Sequence, residues 1–335
     1  MFSAEAIRPT TNPYLVELMR SLPDDVEAVT FSRWRALAGR VDVLHLHWPE
    51  TLFRRRDRVR TLAASVLLVA CLCAMRARGV RVVRTVHNES PHEAARGPEG
   101  RLLRLMDRWT DELILLNRHT RFPRDLPATV IPLGEHASTY ADLPVPPAAA
   151  GRRALYFGLV RPYKGIDALV RAFRAVPAAD ARLRIVGPVK DDGVLGEVRE
   201  LAGGDERIEI RGGFVPDAAL VREIGESRLV VLPYRRMHNS GAALLALSLG
   251  RPVLVPDNAV NRDLAEETGP GWVRTYEGEL GAAALAAALD EPVPAEPVRF
   301  RGRSWPGIGA AHARVYRRVA SPDGRAAAVR ERAAA

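Results

Sequence analysis

Short, unbroken apolar runs alternating with helical patterns do most to limit what this 335-residue chain can fold into. VDVLHLHW (41–48), VRVVRTVHN (80–88), ELILL (112–116), RALYFG (153–158), RLRIVG (182–187), RLVVLPY (228–234) and PVLVP (252–256) are of this kind. They lack the sustained in–out alternation of a sheet with one wetted face. Strands buried on both faces and separated by helices form a parallel sheet covered on either side, so the fold class expected is α/β, doubly wound.

The pattern halts once. Residues 141–152, ADLPVPPAAAGR, carry Pro and Ala without periodicity and read as a linker. The chain is long enough for two domains of ordinary size. The division predicted is an N-terminal domain over 1–140, a linker over 141–152, a second domain over 153–298, a crossover helix over 299–319 and a frayed tail over 320–335. The opening is weak: MFSAEAI supplies barely one strand. Asn12 and Pro13 then start a helix in NPYLVELMRSL, and VEAVTF (26–31) reads as the next strand. A short helical piece is expected after ELILL.

A formal charge of +9 invites a polyanionic partner, yet the lysines are Lys164 and Lys190 alone, and every other cation is Arg. Such a bias reflects a GC-rich genome, so the expectation is a solvated Arg surface and no nucleic acid. Cys71 and Cys73 fall in one apolar run and are expected in the core of a reduced, cytoplasmic protein. Residues 1–12 are mixed and polar, unlike a secretory signal. The run LAASVLLVACLCAM (62–75) is shorter than the roughly 20 residues of a bilayer span, and reads first as a buried helix. FRRRDRVR (53–60) just before it equally suits a helix resting on an anionic membrane surface.

Two stretches carry the chemistry. In LYFGLVRPYKGIDAL (155–169) a strand stops at Gly158 and turns through Arg161, Pro162 and Lys164. It re-enters a helix at Gly165 with an apolar stripe of Ile166, Leu169, Val170 and Phe173. In NSGAALLALSLGRPVLVPD (239–257), Asn239 and Ser240 are good helix caps and Gly241 leaves room for a ligand near the backbone. Two cations on one turn, beside a helix offering free N–H groups, make a clamp for a diphosphate.

FGLVRPYKG, GFVPDAAL (213–220), VVLPY and SGAALLALSLGRPVLVPD, in this order and spacing, resemble the C-terminal donor domain of GT-B-fold glycosyltransferases, particularly family 4 and its relatives. NPYLVEL, DVLHLHWPE, VVRTVHNESPHE and VIPLGEH look like a bacterial subgroup acting in surface-polysaccharide or lipid-linked glycan assembly. The resemblance implies two Rossmann-like domains facing across a cleft, the C-terminal helix returning to the first. It implies transfer of a hexosyl group from a nucleotide diphosphate-sugar to a hydroxyl of a glycan or lipid-linked acceptor. No metal and no cofactor beyond that co-substrate are implied, and the place is the cytoplasm or the inner face of its membrane.

Arg161 and Lys164 would neutralise the departing diphosphate, stabilising charge that grows in the transition state. Many members carry Glu-x7-Glu where this chain has Met237 and Leu245, and an Arg where it has Leu159. That leaves the stereochemistry open and puts His238, Asn239 and Ser240 nearest the sugar. Gly158, Gly241 and Asp257 complete the expected donor set. His87, at a strand's carboxyl end, is a candidate acceptor of the hydroxyl proton, with Glu89 and Glu93 as rival bases. His45 and His47 share a strand face, but no carboxylate or thiolate joins them and no metal site is expected. His47, Trp48 and Glu50, with Thr11 and Asn12, would wall the acceptor side. A nucleotide-sugar epimerase of the same fold, and a non-catalytic nucleotide-sugar-binding protein, are the alternatives.

Overall fold

Every pairing between named strands is parallel, as apolar runs buried on both faces require. The computed structural model describes residues 1–4, 7, 11–87, 97–148, 151–189 and 192–321. The chain forms two units, Met1–Gly134 with the segment that starts at Gly302, and Glu135–Arg301.

In the first unit α1 (Pro13–Ser21) and α2 (Arg33–Ala38) precede β1 (Val43–Leu46). A 3-10 turn (Pro49–Leu52) and α3 (Arg58–Ala77) lead to β2 (Arg81–Val86), and α4 (Gly97–Trp109) to β3 (Glu112–Leu115) and β4 (Ala128–Val130). The sheet order is β1-β2-β3-β4. Asn12 caps α1 by accepting from the Tyr14 N–H at 3.0 Å, with Pro13 at the first helical position. Leu44 and Leu46 face one core with Leu68, Cys71 and Met75 of α3, whereas Val43 and Val83 face the other with Tyr14, Leu15 and Leu18 of α1.

Three expectations are corrected here. VEAVTF makes no named strand: Phe2 bridges singly to Thr30 and to His45, and of the run only Phe31 is buried, too little apolar contact to hold a ladder. No helix follows β3, because the Asn117 side chain accepts from the His119 N–H at 2.8 Å and offers the backbone a turn instead. The apolar helix α3 is not a buried one. It buries Leu68, Cys71, Leu72 and Met75, while Val59, Leu62 and Val66 stay 78%, 59% and 64% exposed and Cys73 faces outward. A helix apolar all round buries only the side that meets its neighbours, here the sheet and α2.

The second unit runs β5 (Arg153–Phe157), a 3-10 turn (Pro162–Lys164), α5 (Ile166–Arg174), β6 (Arg182–Gly187), α6 (Asp192–Ala202), β7 (Ile208–Gly212) and α7 (Asp217–Glu226). It continues through β8 (Leu229–Val231), α8 (Gly241–Ser248), β9 (Val253–Pro256), α9 (Ala259–Thr268), β10 (Val273–Tyr276) and α10 (Ala282–Asp290). The sheet order is β10-β9-β8-β5-β6-β7. Chain order therefore reverses between β5 and β8, the place where open α/β sheets bind ligands beyond their carboxyl ends. Helix α5 buries Ile166, Leu169, Val170 and Phe173 and turns Arg171 and Arg174 outward.

The last helix, α11 (Trp305–Ala320), belongs to the first unit and packs on α1 and against β1 and β2. It buries Trp305, Ile308, His312, Val315, Tyr316 and Val319, one face at helical spacing. At Gly309 a Cβ would sit 1.9 Å from the Ser21 carbonyl oxygen, so glycine is what lets α11 approach the end of α1.

Candidate functional site

The reversal between β5 and β8 sets the turn after β5 beside the loop after β8, and the two are laced together. Beyond β5, Gly158 has φ +120°, with open space where a Cβ would be. Gly165 has φ +66°, and a Cβ on it would lie 2.0 Å from the Pro233 carbonyl oxygen, so no other residue fits that crossing. The Arg235 N–H donates to the Tyr163 carbonyl at 3.1 Å, and its guanidinium to the Pro162 carbonyl at 2.6 Å and to Asp167 at 2.6 Å.

Between these ties the Lys164 Nζ rests 3.4 Å from the centroid of the Tyr234 ring. Tyr234 lies in the loop after β8 that leads to Ser240, which caps α8 by accepting from the Ala243 N–H at 3.2 Å. Burial raises the pKa of the Tyr234 hydroxyl, and Ser240 opposes that rise. No acceptor among the described residues meets the N–H groups of Gly241 and Ala242, the first of that helix. Burial, and then the charge of Arg161, brings the Lys164 pKa down to about 8. No carboxylate among the described residues pairs with it. A desolvated ammonium without a counter-ion among the described residues can take an anion.

The other expected donor residues divide. Arg161 is half-buried and close enough to lower the Lys164 pKa, yet it lines a cavity of about 610 Å³ between α5 and α6, with Arg171, Arg174, Glu197 and Arg235. Neither Lys164 nor Ser240 is on that wall. Asp257, at the end of β9, holds Arg262 at 2.5 Å. His238 and Asn239 precede the cap and are half-buried. Met237 and Leu245 are 9% and 8% exposed. Both positions are packed with apolar side chains, where an unpaired carboxylate would be costly.

Two residues here had gone unassigned. Tyr234 had a signal, an aromatic at the carboxyl end of an apolar strand run. His136 had none beyond its place in VIPLGEH. Its Nε2 lies 4.0 Å from where a Cβ on Gly241 would be, its backbone N–H donates to Ser248 Oγ at 2.9 Å, and its Nδ1 is buried without a partner among the described residues. Burial lowers its pKa.

In the first unit the residues expected on the acceptor side gather at the ends of β1 and β2. The His87 ring stacks on Trp48 at 4.2 Å and its Nε2 is 3.2 Å from His47 Nδ1, while Tyr14 meets both imidazoles edge-on. Burial, then the charge of Arg84, brings the His87 pKa down to about 3, and burial holds His47 far below the usual imidazole range. Both are neutral near pH 7. Asn12 spends its side-chain oxygen on the α1 cap, Thr11 is half-buried just before it, and Glu50 sits in the 3-10 turn, where its charge favours the cationic form of Arg84. Glu89 and Glu93 lie outside the described residues.

His45 is structural: its ring nitrogens meet Tyr316 at 2.7 Å and Thr85 at 2.8 Å. His312 donates from Nδ1 to the Ile308 carbonyl at 2.9 Å. Among the described residues no group of three or more His, Cys, Asp or Glu is arranged to hold a metal ion.

Residues 151–291 match the family model described as Glycosyl transferases group 1. The chain is 41% identical, over 98% of its own length and 94% of the relative's, to the GDP-mannose:glycolipid 4-beta-D-mannosyltransferase of Xanthomonas campestris pv. campestris. Among solved structures, sucrose-phosphate synthase from Thermosynechococcus elongatus aligns with a TM-score of 0.59 at 18% identity, over 85% of this chain and 75% of that one. AviGT4, a glycosyltransferase involved in avilamycin A biosynthesis, aligns with a TM-score of 0.59 at 16% identity, over 96% and 97%. These two likenesses are of fold.

Proposed function

The chain belongs to the group 1 glycosyl transferases and is a nucleotide-sugar glycosyltransferase, and on that premise we propose that it moves a mannosyl group from GDP-mannose to a hydroxyl of a glycolipid. The observation that carries the reading is Lys164, desolvated, unpaired with any described carboxylate and seated on Tyr234 in the loop that leads into α8. As the sugar–phosphate bond breaks, charge builds on the leaving diphosphate. Lys164 and the N–H groups of Gly241 and Ala242 stabilise that charge more than they stabilise the ground state. Arg161 is the second cation, turning to the outer phosphate from the neighbouring cavity. With the leaving group met this way, the reaction is metal-independent.

The donor and the linkage come from the similar mannosyltransferase, whose name specifies a 4-β product. From a sugar held α to its diphosphate, a β product requires inversion, and inversion requires that the acceptor hydroxyl lose its proton to a base. His87, neutral and with Trp48 against its face, is the group assigned to that hydroxyl, and Glu89 is the rival base. A carboxylate beside the sugar is dispensable in this scheme, which suits Met237 and Leu245.

The acceptor's lipid gives α3 a purpose. Among the described residues, six of the ten exposed large hydrophobics lie on α2 and α3, namely Trp34, Leu37, Val59, Leu62, Val66 and Leu67. Arg54, Arg55, Arg56, Arg58 and Arg60 adjoin them in sequence. An apolar face rimmed by cations rests on an anionic membrane, so the enzyme works as a peripheral protein on the cytoplasmic face. The test is a transfer assay with GDP-mannose, UDP-glucose and a lipid-linked acceptor. Glycolipid product from GDP-mannose, absent with K164A, is expected; equal use of UDP-glucose, or an active K164A, would overturn the assignment.

A further inference from the structure

Lys164 raises a problem of its own. A desolvated ammonium whose pKa the like charge of Arg161 lowers further, with no carboxylate among the described residues to pair with it, has to be held by something other than an ion pair. Asp167, the acid closest in sequence, is taken by Arg171 and Arg235, each at 2.6 Å. What faces the ammonium is aromatic: Tyr234 at 3.4 Å and, further off, Tyr163 at 5.2 Å. We propose that Tyr234 is the positioning residue of the donor grip, its ring seating the Lys164 ammonium in the loop that leads into α8. The proposal rests on the reading of Lys164 as the diphosphate cation.

The physics favours a ring over a carboxylate in this place. A carboxylate would neutralise the ammonium and compete with the incoming phosphate. The negative face of an aromatic ring attracts the cation, more strongly where water is excluded, without engaging its N–H donors as a carboxylate oxygen would. Lys164 is thereby kept charged and in place while its donors stay available for phosphate oxygens.

Tyr234 is itself held in place: it is 5% exposed, and the adjoining Pro233 and Arg235 meet the Lys164 turn at Gly165, Pro162 and Tyr163. Ring and cation therefore keep one spacing, set by contacts between the two backbones that carry them. The charged and titratable groups around the ammonium are Arg161, Tyr163 and Asp167 on its own turn and helix, and Tyr234 and Arg235 from the loop after β8.

The two lysines make the test direct. With both ¹³C-dimethylated, Lys164 and Lys190 give two lysine NMR signals, and a ring 3.4 Å away shifts the Lys164 signal upfield by its ring current. Added GDP should move that signal further. Y234F keeps the ring, so its donor KM and the Lys164 titration should stay within about twofold of wild type. Y234L should raise the donor KM about tenfold or more and lower the Lys164 pKa by about one pH unit, the scale of a desolvated cation–π contact.

Circular dichroism melting of both variants separates this effect from misfolding, and the wild-type ring-current shift tests the contact without any variant. A Lys164 signal without upfield shift in the wild type overturns the proposal, as does Y234L titrating and binding donor like Y234F. In either case an inactive K164A leaves the diphosphate reading intact. An active K164A brings down that reading first.

Discussion

The two units solve opposite problems at the ends of their sheets. In Glu135–Arg301 a cation is buried and left without a described carboxylate, so that the site is short of negative charge. In the first unit, imidazoles are desolvated and kept neutral, packed among Tyr14, Trp48 and one another. The contrast teaches what burial does to titratable groups. It lowers the pKa of a lysine and of a histidine alike, but the lysine starts high enough to remain charged near pH 7 and the histidines do not. One unit therefore presents a positive charge, and the other neutral hydrogen-bonding groups.

The sharpest way to break that comparison is to delete one member from each side. K164A should cost transfer about a thousandfold in kcat, since it removes charge from the leaving group, with melting unchanged. H87A should cost about a hundredfold, as loss of a group that meets a hydroxyl does. Steady-state kinetics of the two variants decide it. A larger loss for H87A would mean that proton removal, not diphosphate departure, governs the rate.

The pH dependences should likewise be opposite. For Lys164 the folded pKa, about 8, lies below that of a free lysine, so donor affinity should fall as pH rises through about 8. For His312 the folded pKa is about 4 and for His87 about 3, each below the ordinary 6.5. The unfolded chain binds those protons first, so the stability due to neutral burial is full above about 6.5 and is lost as pH falls toward those values. His312 alone should cost at most about 3 kcal/mol on acidification, and the first unit should melt before the second. Melting followed by tryptophan fluorescence across pH checks this, and H312Q should flatten the acid limb.

A smaller effect is expected at α3. L62E with V66E should reduce binding to phosphatidylglycerol vesicles about tenfold while leaving transfer to a soluble acceptor within about twofold. Unchanged sedimentation with the vesicles would detach this face from any membrane role. The smallest effect is expected of a chelator: if Lys164, Arg161 and α8 meet the charge on the leaving group as proposed, excess EDTA should leave kcat unchanged. A rate restored only by added Mg²⁺ would erase the difference drawn between the two units.

Legibility in the sequence followed how local each feature is. The Lys164 turn, the Ser240 cap and the Asn12 cap were readable because a cap or a turn is settled within a few residues. The failed strand at VEAVTF and the missing helix after β3 turned on one competing side-chain bond or too little burial, which periodicity does not register. Tyr234 under Lys164, His136 against Gly241 and His312 beside His45 join positions about 70 to 270 residues apart. Nothing local announces such pairs.

The order of residues alone determined that strands would be buried on both faces, that helices would alternate with them, and that two cations would sit on one strand-to-helix turn. These follow from hydrophobic pattern and backbone chemistry over short spans. Folding decided which ring lies under which cation, which imidazoles lose their water, and which side of α3 stays wet. Those outcomes depend on strand order and on desolvation, and both exist only once distant segments have been brought into contact.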